Sequence, residues 1–220
     1  TTLFRSVLNR TWLNRTWLIG LVALLVAAGV GAGVTLLVTG RPDAPAALLS
    51  DTDIGFAQDM SGHHQQAVTM ADMLDTQASP ESRALAEGIR FQQLTEIGVL
   101  TGWLQMADAP PQSEQPMAWM HTGGTEHHSG HHSMSMPGLA STDDLKRLQR
   151  STGRDNEVLF LQLMSRHHQG GIEMAGYAVA HTHNDAVRRV ATAMIDEQTQ
   201  ELQLMAIMLN RRGAAPLSYP

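Results

Sequence analysis

The chain has 220 residues, of which 43% are hydrophobic, 5% aromatic and 16% charged, with a formal net charge of −6. That balance excludes a nucleic-acid partner, because phosphate binding needs clustered cations. The lack of cysteine excludes a disulfide framework, a zinc–thiolate site and a thiol nucleophile, leaving thirteen methionines and eleven histidines as the unusual feature.

Residues 1–16 lead into an uncharged run, Trp17 to Thr39, whose length matches the ~20 residues a helix needs to cross a bilayer. Arg5, Arg10 and Arg15 precede it and only Arg41 follows closely, which puts the N-terminus in the cytoplasm. Trp12 and Trp17 sit where interfacial aromatics belong. A cleaved signal peptide would carry a shorter apolar region of ~7–15 residues. The expectation is therefore a single-pass anchor over 17–39 in the plasma membrane of a bacterium, with the C-terminal domain extracytoplasmic. Gly29 and Gly33 form a Gly-x-x-x-Gly pair, which leaves room for a membrane-protein partner or a homo-oligomer.

Residues 40–50 read as a tether bearing Pro and Ala. From there the pattern is helical, with apolar residues every three to four positions. The first helix is expected from a cap at Asp51 or Asp53 to a stop at Ser79-Pro80, and the second from Pro80 to about Ala107. A loop follows, then a short helix capped by Ser141 or Thr142 and running to about Arg150. Asp155 opens a long third helix to about His181, and Asn184 or Asp185 a fourth that ends at Gly213. No stretch alternates with period two for long enough to suggest a sheet. The expected fold is all-α, with four main helices as two hairpins over 51–107 and 141–213 joined by the loop 108–140, the whole spanning 51–213.

The hairpins are copies of one another. Asp53-IGFAQ-DM-SG-HHQ-QAVT-MA aligns without a gap on Glu157-VLFLQ-LM-SR-HHQ-GGIE-MA. The second helices agree after a one-residue shift, matching Gln93 with Gln198 and Glu96 with Glu201. A repeat near one hundred residues is too long for a solenoid and suits a four-helix bundle with a pseudo-two-fold axis. At ~100° per residue, Phe56, Met60, His63, His64, Ala67, Met70, Ala71 and Leu74 share an arc of about 120°, the width of a core-facing stripe. The same arithmetic gathers Phe160, Met164, His167, His168, Gly171, Met174, Ala175 and Ala178.

Buried neutral imidazole needs a partner. One account is core histidine satisfied by Glu96, Glu201 or backbone carbonyls, with methionine filling gaps. The other is metal binding by Met60, His63, His64 and Met70 with Met164, His167, His168 and Met174. The repeated His pair, three residues after a Met, favours the second. Glu96, Glu197 and Glu201 are expected as further ligands or as acceptors that fix the tautomers. Gly62, Gly170 and Gly171 each lower helix propensity by ~1 kcal/mol relative to Ala, which suits a close-lying helix or ligand.

The loop supplies a second cluster. Met117 to Met136 holds Met117, Met120, His121, His127, His128, His131, His132, Met134 and Met136 among Ser, Gly and Thr, and His-rich tracts are read as metal-binding. Imidazole suits copper and zinc, and thioether selects Cu(I).

These segments resemble the DUF305 family of bacterial secreted or membrane-anchored proteins. The resemblance rests on the doubled Met-x-x-His-His-x-x-x-(hydrophobic)-x-Met-Ala pattern and on MPGLASTDDLKRLQRSTGRDNEVLFLQLM, Met136 to Met164. It covers roughly Asp51 to Arg212. It implies a ferritin-like four-helix fold and, since similar members include periplasmic copper-binding proteins, a copper-binding role with Met60, His63, His64, Met70, Met164, His167, His168 and Met174 at the motif positions. The first copy departs from the pattern, with Gln65-Gln66 where a Gly usually follows the His pair.

The expected role is therefore an anchored copper-binding or sequestering protein without turnover, taking Cu(I) or Cu(II), with zinc as a second metal. An accessory or interaction subunit of a membrane complex, with structural His clusters, is the alternative. A ferritin-like metal oxidase is a third reading, weakened because such sites want Glu-x-x-His and Met60 and Met164 stand at those positions. Hydrolytic and nucleophilic motifs are missing.

Overall fold

The computed structural model describes residues 48–121 and 136–219. The expected anchor at 17–39 and the loop residues His127, His128, His131, His132 and Met134 lie outside the described residues. The chain divides into two units, Thr1–Ala46 and Ala47–Pro220, and the described residues all belong to the second. None of its described helices is long and apolar enough to cross a membrane.

The described residues form helices and no strands: α1 (Asp51–Asp72), α2 (Pro80–Met106), a 3-10 turn (Ala118–His121), α3 (Thr142–Arg150), α4 (Gly153–His181) and α5 (Asp185–Arg211). α1 packs along α2 and α4 along α5, and the two hairpins join through α1 and α4. Those two helices run antiparallel. The end of α1 meets the start of α4, where the Gly153 N–H donates to Asp75 (2.6 Å), and the end of α4 meets the start of α1, where Thr182 donates to Asp53.

Local chemistry sets the boundaries. Ser50, rather than Asp51 or Asp53, is the α1 N-cap: its hydroxyl takes the Asp53 N–H, and the Asp53 carboxylate returns to the Ser50 N–H (3.0 Å), a closed capping box. α1 stops at Asp72, earlier than Ser79-Pro80, because a polar knot takes over. Asn156 accepts the Asp75 N–H (2.8 Å) and donates to the carbonyls of Met73 and Leu148. Pro80 opens α2 at its first turn, where the missing N–H costs nothing, behind the N-cap Ser79. α4 starts two residues before Asp155, since Gly153 adopts φ +56 and hands its N–H to Asp75.

The core has two apolar clusters. One holds Met70, Phe160 and Met164 among Leu and Ala side chains, and the other holds Phe56, Met60 and Met174. Each therefore draws motif residues from both hairpins, as antiparallel copies must.

Candidate metal centre

His63, His64, His167 and His168 are each fully enclosed, at 0% exposure, and so are Met60, Met70, Met164 and Met174. The inward stripe read from the helical period thus places all eight motif side chains inside. The imidazoles from the two hairpins meet: the rings of His63 and His167 lie 3.7 Å apart, centroid to centroid, and His64 and His168 flank them at 6.3 Å from their chain neighbours. The four thioethers sit two by two in the apolar clusters of the core.

Hydrogen bonds fix which nitrogen carries the proton in three of the four rings. His63 Nε2 lies 3.1 Å from the Pro137 carbonyl and His167 Nε2 lies 2.9 Å from the His63 carbonyl. A carbonyl only accepts, so Nε2 is the protonated nitrogen in both rings. His168 Nε2 donates to Glu201 at 2.6 Å. His64 Nε2 lies 2.7 Å from Glu96, but off the line of the ring N–H, so this contact is not a directed bond. The Nδ1 atoms of all four rings are buried without a partner among the described residues. A buried nitrogen lone pair with nothing to accept is costly, and four of them in one layer call for a physical explanation.

The electrostatics disfavour a second proton on three of these rings, His63, His64 and His167. Burial first, then the neighbouring imidazole His64, push His63 down to about 3, against a small opposing pull from its bond to Pro137. Burial, then His168, push His64 to about 3. Burial and the neighbouring His63 hold His167 well below the ordinary imidazole value. A neutral imidazole is the form that coordinates a metal.

Carboxyls close one side of the layer. Glu96 and Glu201 stand at matching positions of α2 and α5 and meet His64 and His168 in turn. Glu197 accepts a hydrogen bond from Gln92 across the pseudo-two-fold. Burial raises Glu96, with hydrogen bonds from Gln92 and Glu197 opposing. Burial also raises Glu197, and the Glu96 charge adds to it. Among the described residues no three His, Asp or Glu side chains form a group that could hold an ion.

The connecting segment crosses this core, which the helical period did not reveal. Gln66 pairs with the backbone of Ala140 in both directions, at 3.0 and 2.7 Å. Gly170 lets the segment through, since a Cβ there would lie 2.0 Å from the Pro137 oxygen. Gly171 faces Gln198, whose amide a Cβ would meet at 2.4 Å, whereas Gly62 has only the Met136 methyl nearby at 3.6 Å. The expected tightness beside the His pairs therefore holds for the second copy more than the first. The loop's other foot rests on Asp59, a buried carboxyl raised by burial, which accepts the Met117 N–H (2.6 Å) and the Trp119 indole N–H (2.8 Å). Met117, buried beside Trp119, and half-buried Met120 and Met136 pack on the Met60 cluster. Asp59 and Pro137 went unseen in the sequence, and Gln66 was read there only as a departure from the family pattern, because their roles depend on where the loop lands.

The model of the family DUF305, a domain of unknown function, matches residues 53–209. The structure is similar to a DUF305 protein from Streptomyces coelicolor described as secreted, at 36% identity and TM-score 0.68, covering 79% of this chain and 99% of that one. It is similar to a DUF305 fragment from Deinococcus radiodurans at 25% identity and TM-score 0.61, covering 74% and 98%. It also resembles CopM in a Cu(II)-bound form, at 27% identity and TM-score 0.56, covering 72% of this chain and 96% of CopM. No curated protein matches the chain.

Proposed function

This chain belongs to the DUF305 family, and from that premise we propose that it captures copper as cargo on the extracytoplasmic side of the plasma membrane, tethered by residues 17–39. The observation that carries the reading is the layer of four buried imidazoles whose Nδ1 atoms have no partner among the described residues, while Nε2 is engaged in three of them, His63, His167 and His168. That is how metal-ligating histidines are arranged, with one nitrogen pinned by an acceptor and the other bare. Two similar structures support the metal: CopM was seen bound to Cu(II) and to Cu(I). The secreted relative supports the compartment.

The donor set argues for the softer oxidation state. No three His, Asp or Glu side chains are grouped to hold an ion among the described residues, and we read the motif thioethers of the adjoining core as the further donors. Mixed imidazole and thioether coordination selects Cu(I). Met60, Met70, Met164 and Met174 are the sulfur donors at hand, and Glu96 and Glu201 orient His64 and His168. The two hairpins would close a ferritin-like bundle about this layer, and the His/Met loop, whose feet rest on α1, would gather ions for it. The protein is a binder without turnover.

The interaction-subunit reading has one feature in its favour, the exposed apolar side chains Phe91 and Met106 on α2 and Leu204 and Ile207 on α5. Titrating the intact chain with Cu(I), Cu(II) and Zn(II) separates the two. Copper binding is expected with Cu(I) tightest and zinc weakest, surviving deletion of 122–135 and disappearing in His63/His64/His167/His168→Ala. Circular dichroism checks that the variant is still helical, and Met60/Met164→Leu, which keeps the core apolar, is expected to lose Cu(I) selectively. Binding no tighter than that of the excised loop peptide would leave only the interaction subunit.

A further inference from the structure

At the end of the bundle opposite Leu48, a cleft of about 700 Å³ opens between the close of α3, the first turns of α4 and the chain just after α5. Its floor is apolar, with Val158, Leu159 and Ala214. Its walls carry Arg147, Arg150, Arg154 and Arg212 against a single carboxylate, Asp155.

The four arginines divide by what they already hold. Arg212 is committed to Glu157 at 2.6 Å, and Arg147 lies 3.6 Å from Asp144. Arg154 donates one amine to the Arg212 carbonyl, which leaves the rest of its fork open. Arg150 makes neither an ion pair nor a hydrogen bond among the described residues, and Arg154 makes no ion pair there. The backbone adds donors at the same place. Thr152, the N-cap of α4, provides no side-chain bond, and of the first-turn N–H groups Asp75 takes that of Gly153 alone. The Arg154 and Asp155 N–H groups in that first turn have no acceptor inside the helix.

In an acidic chain, exposed guanidiniums usually sit against carboxylates. Here two of them line one concave wall with little counter-charge, above apolar side chains, and no packing requirement explains them. We propose that this cleft binds a small organic anion, a carboxylate- or phosphate-bearing molecule with a short apolar part. The forks of Arg150 and Arg154 match paired oxygens in planar, bidentate fashion. The apolar part rests on Val158 and Leu159, and the volume is that of a small-molecule site. Asp155 opposes the anion and limits its affinity. The site stands apart from the imidazole layer, so it does not depend on the metal reading.

Citrate and inorganic pyrophosphate are the probes, titrated calorimetrically at low salt into the intact chain in detergent. Saturable one-to-one binding of one of them is expected, and which one binds tells carboxylate from phosphate. The double variant Arg150→Gln/Arg154→Gln, at exposed positions where the fold loses only the Arg154 bond to the Arg212 carbonyl, is expected to weaken it on the order of tenfold, with circular dichroism checking that the helices persist. Asp155→Asn is expected to tighten it about threefold, while Arg189→Gln, an exposed arginine on α5, leaves it unchanged. Absence of saturable binding for both anions, or equal affinity in the Arg150/Arg154 double variant, overturns the proposal.

Discussion

In the first hairpin His63 donates to Pro137, a residue of the connecting segment, while in the second His167 donates to the His63 carbonyl. The outer members both face a glutamate of their own hairpin, His64 with Glu96 at 2.7 Å and His168 with Glu201 at 2.6 Å, though only His168 makes a directed hydrogen bond. Duplication thus explains the histidines that face the second helix of their own hairpin. It does not explain the inner two, because only one connecting segment exists and it can cross only one side. Position 66 against 170 shows the cause. Gln66 reaches out to bind Ala140, and Gly170, its counterpart, shrinks to admit Pro137. The two helix starts differ in the same way: Asp53 holds Ser50 and Thr182, whereas its counterpart Glu157 holds Ser79 and the Arg212 guanidinium.

Removing the asymmetry at Gly170 is expected to have the largest effect. A Cβ 2.0 Å from the Pro137 oxygen and 2.3 Å from its carbonyl carbon meets backbone, which cannot swing aside. Gly170→Ala should lower stability by about 3 kcal/mol in denaturant unfolding, the upper end for overpacking. An unchanged midpoint would mean that the segment does not cross there.

The helix starts come next. Burial pushes the Glu157 carboxyl up, yet the bonds from Arg212, Ser79 and Ser82 outweigh it and hold it at about 2. A carboxyl depressed in the fold stabilises it fully above its ordinary value near 4.5 and loses that contribution as pH falls toward 2. Glu157→Gln should therefore cost about 2 to 3 kcal/mol at pH 7, with the gap to the parent closing as acid is added. Asp53→Asn should cost less, since no cation faces it. Equal losses, or a gap that persists at pH 2, would put the two starts on the same footing.

Glu96→Gln and Glu201→Gln probe the half of the site that duplication kept alike. Each should weaken copper binding by about 10- to 100-fold, as loss of a partner to a ligating imidazole does, and by similar factors. A large imbalance in calorimetric affinity would show that one hairpin dominates. The smallest effect is expected for Gln66→Ala, about 1 kcal/mol for its neutral hydrogen bonds to Ala140, read as a shift in the unfolding midpoint.

Much of the core was legible beforehand. The period of three to four residues placed Met60, His63, His64 and Met70, and their counterparts, on inward faces, because burial of a helix face follows from 3.6 residues per turn. The Pro80 start, the Ser141 cap and the Asn184 cap are chemical signals that act within a few residues. The errors lie where a distant group took over: Ser50 displaced the expected Asp cap through a reciprocal bond, and Asn156 ended α1 from another helix. Asp59, Gln66 and Pro137 had no local signature, for each is defined by a partner more than fifty residues away.

The sequence by itself determined the helices, their inward stripes and the pairing of copies, since propensity, capping and apolar period are properties of short stretches. Tertiary structure alone decided that the His63 and His167 rings meet, that Nε2 rather than Nδ1 is engaged in each ring that donates, and that one side of the layer is crossed by residues 136–140. A hydrogen bond between remote groups depends on the distance and angle set by packing, and packing distances are not written in any local stretch of chain.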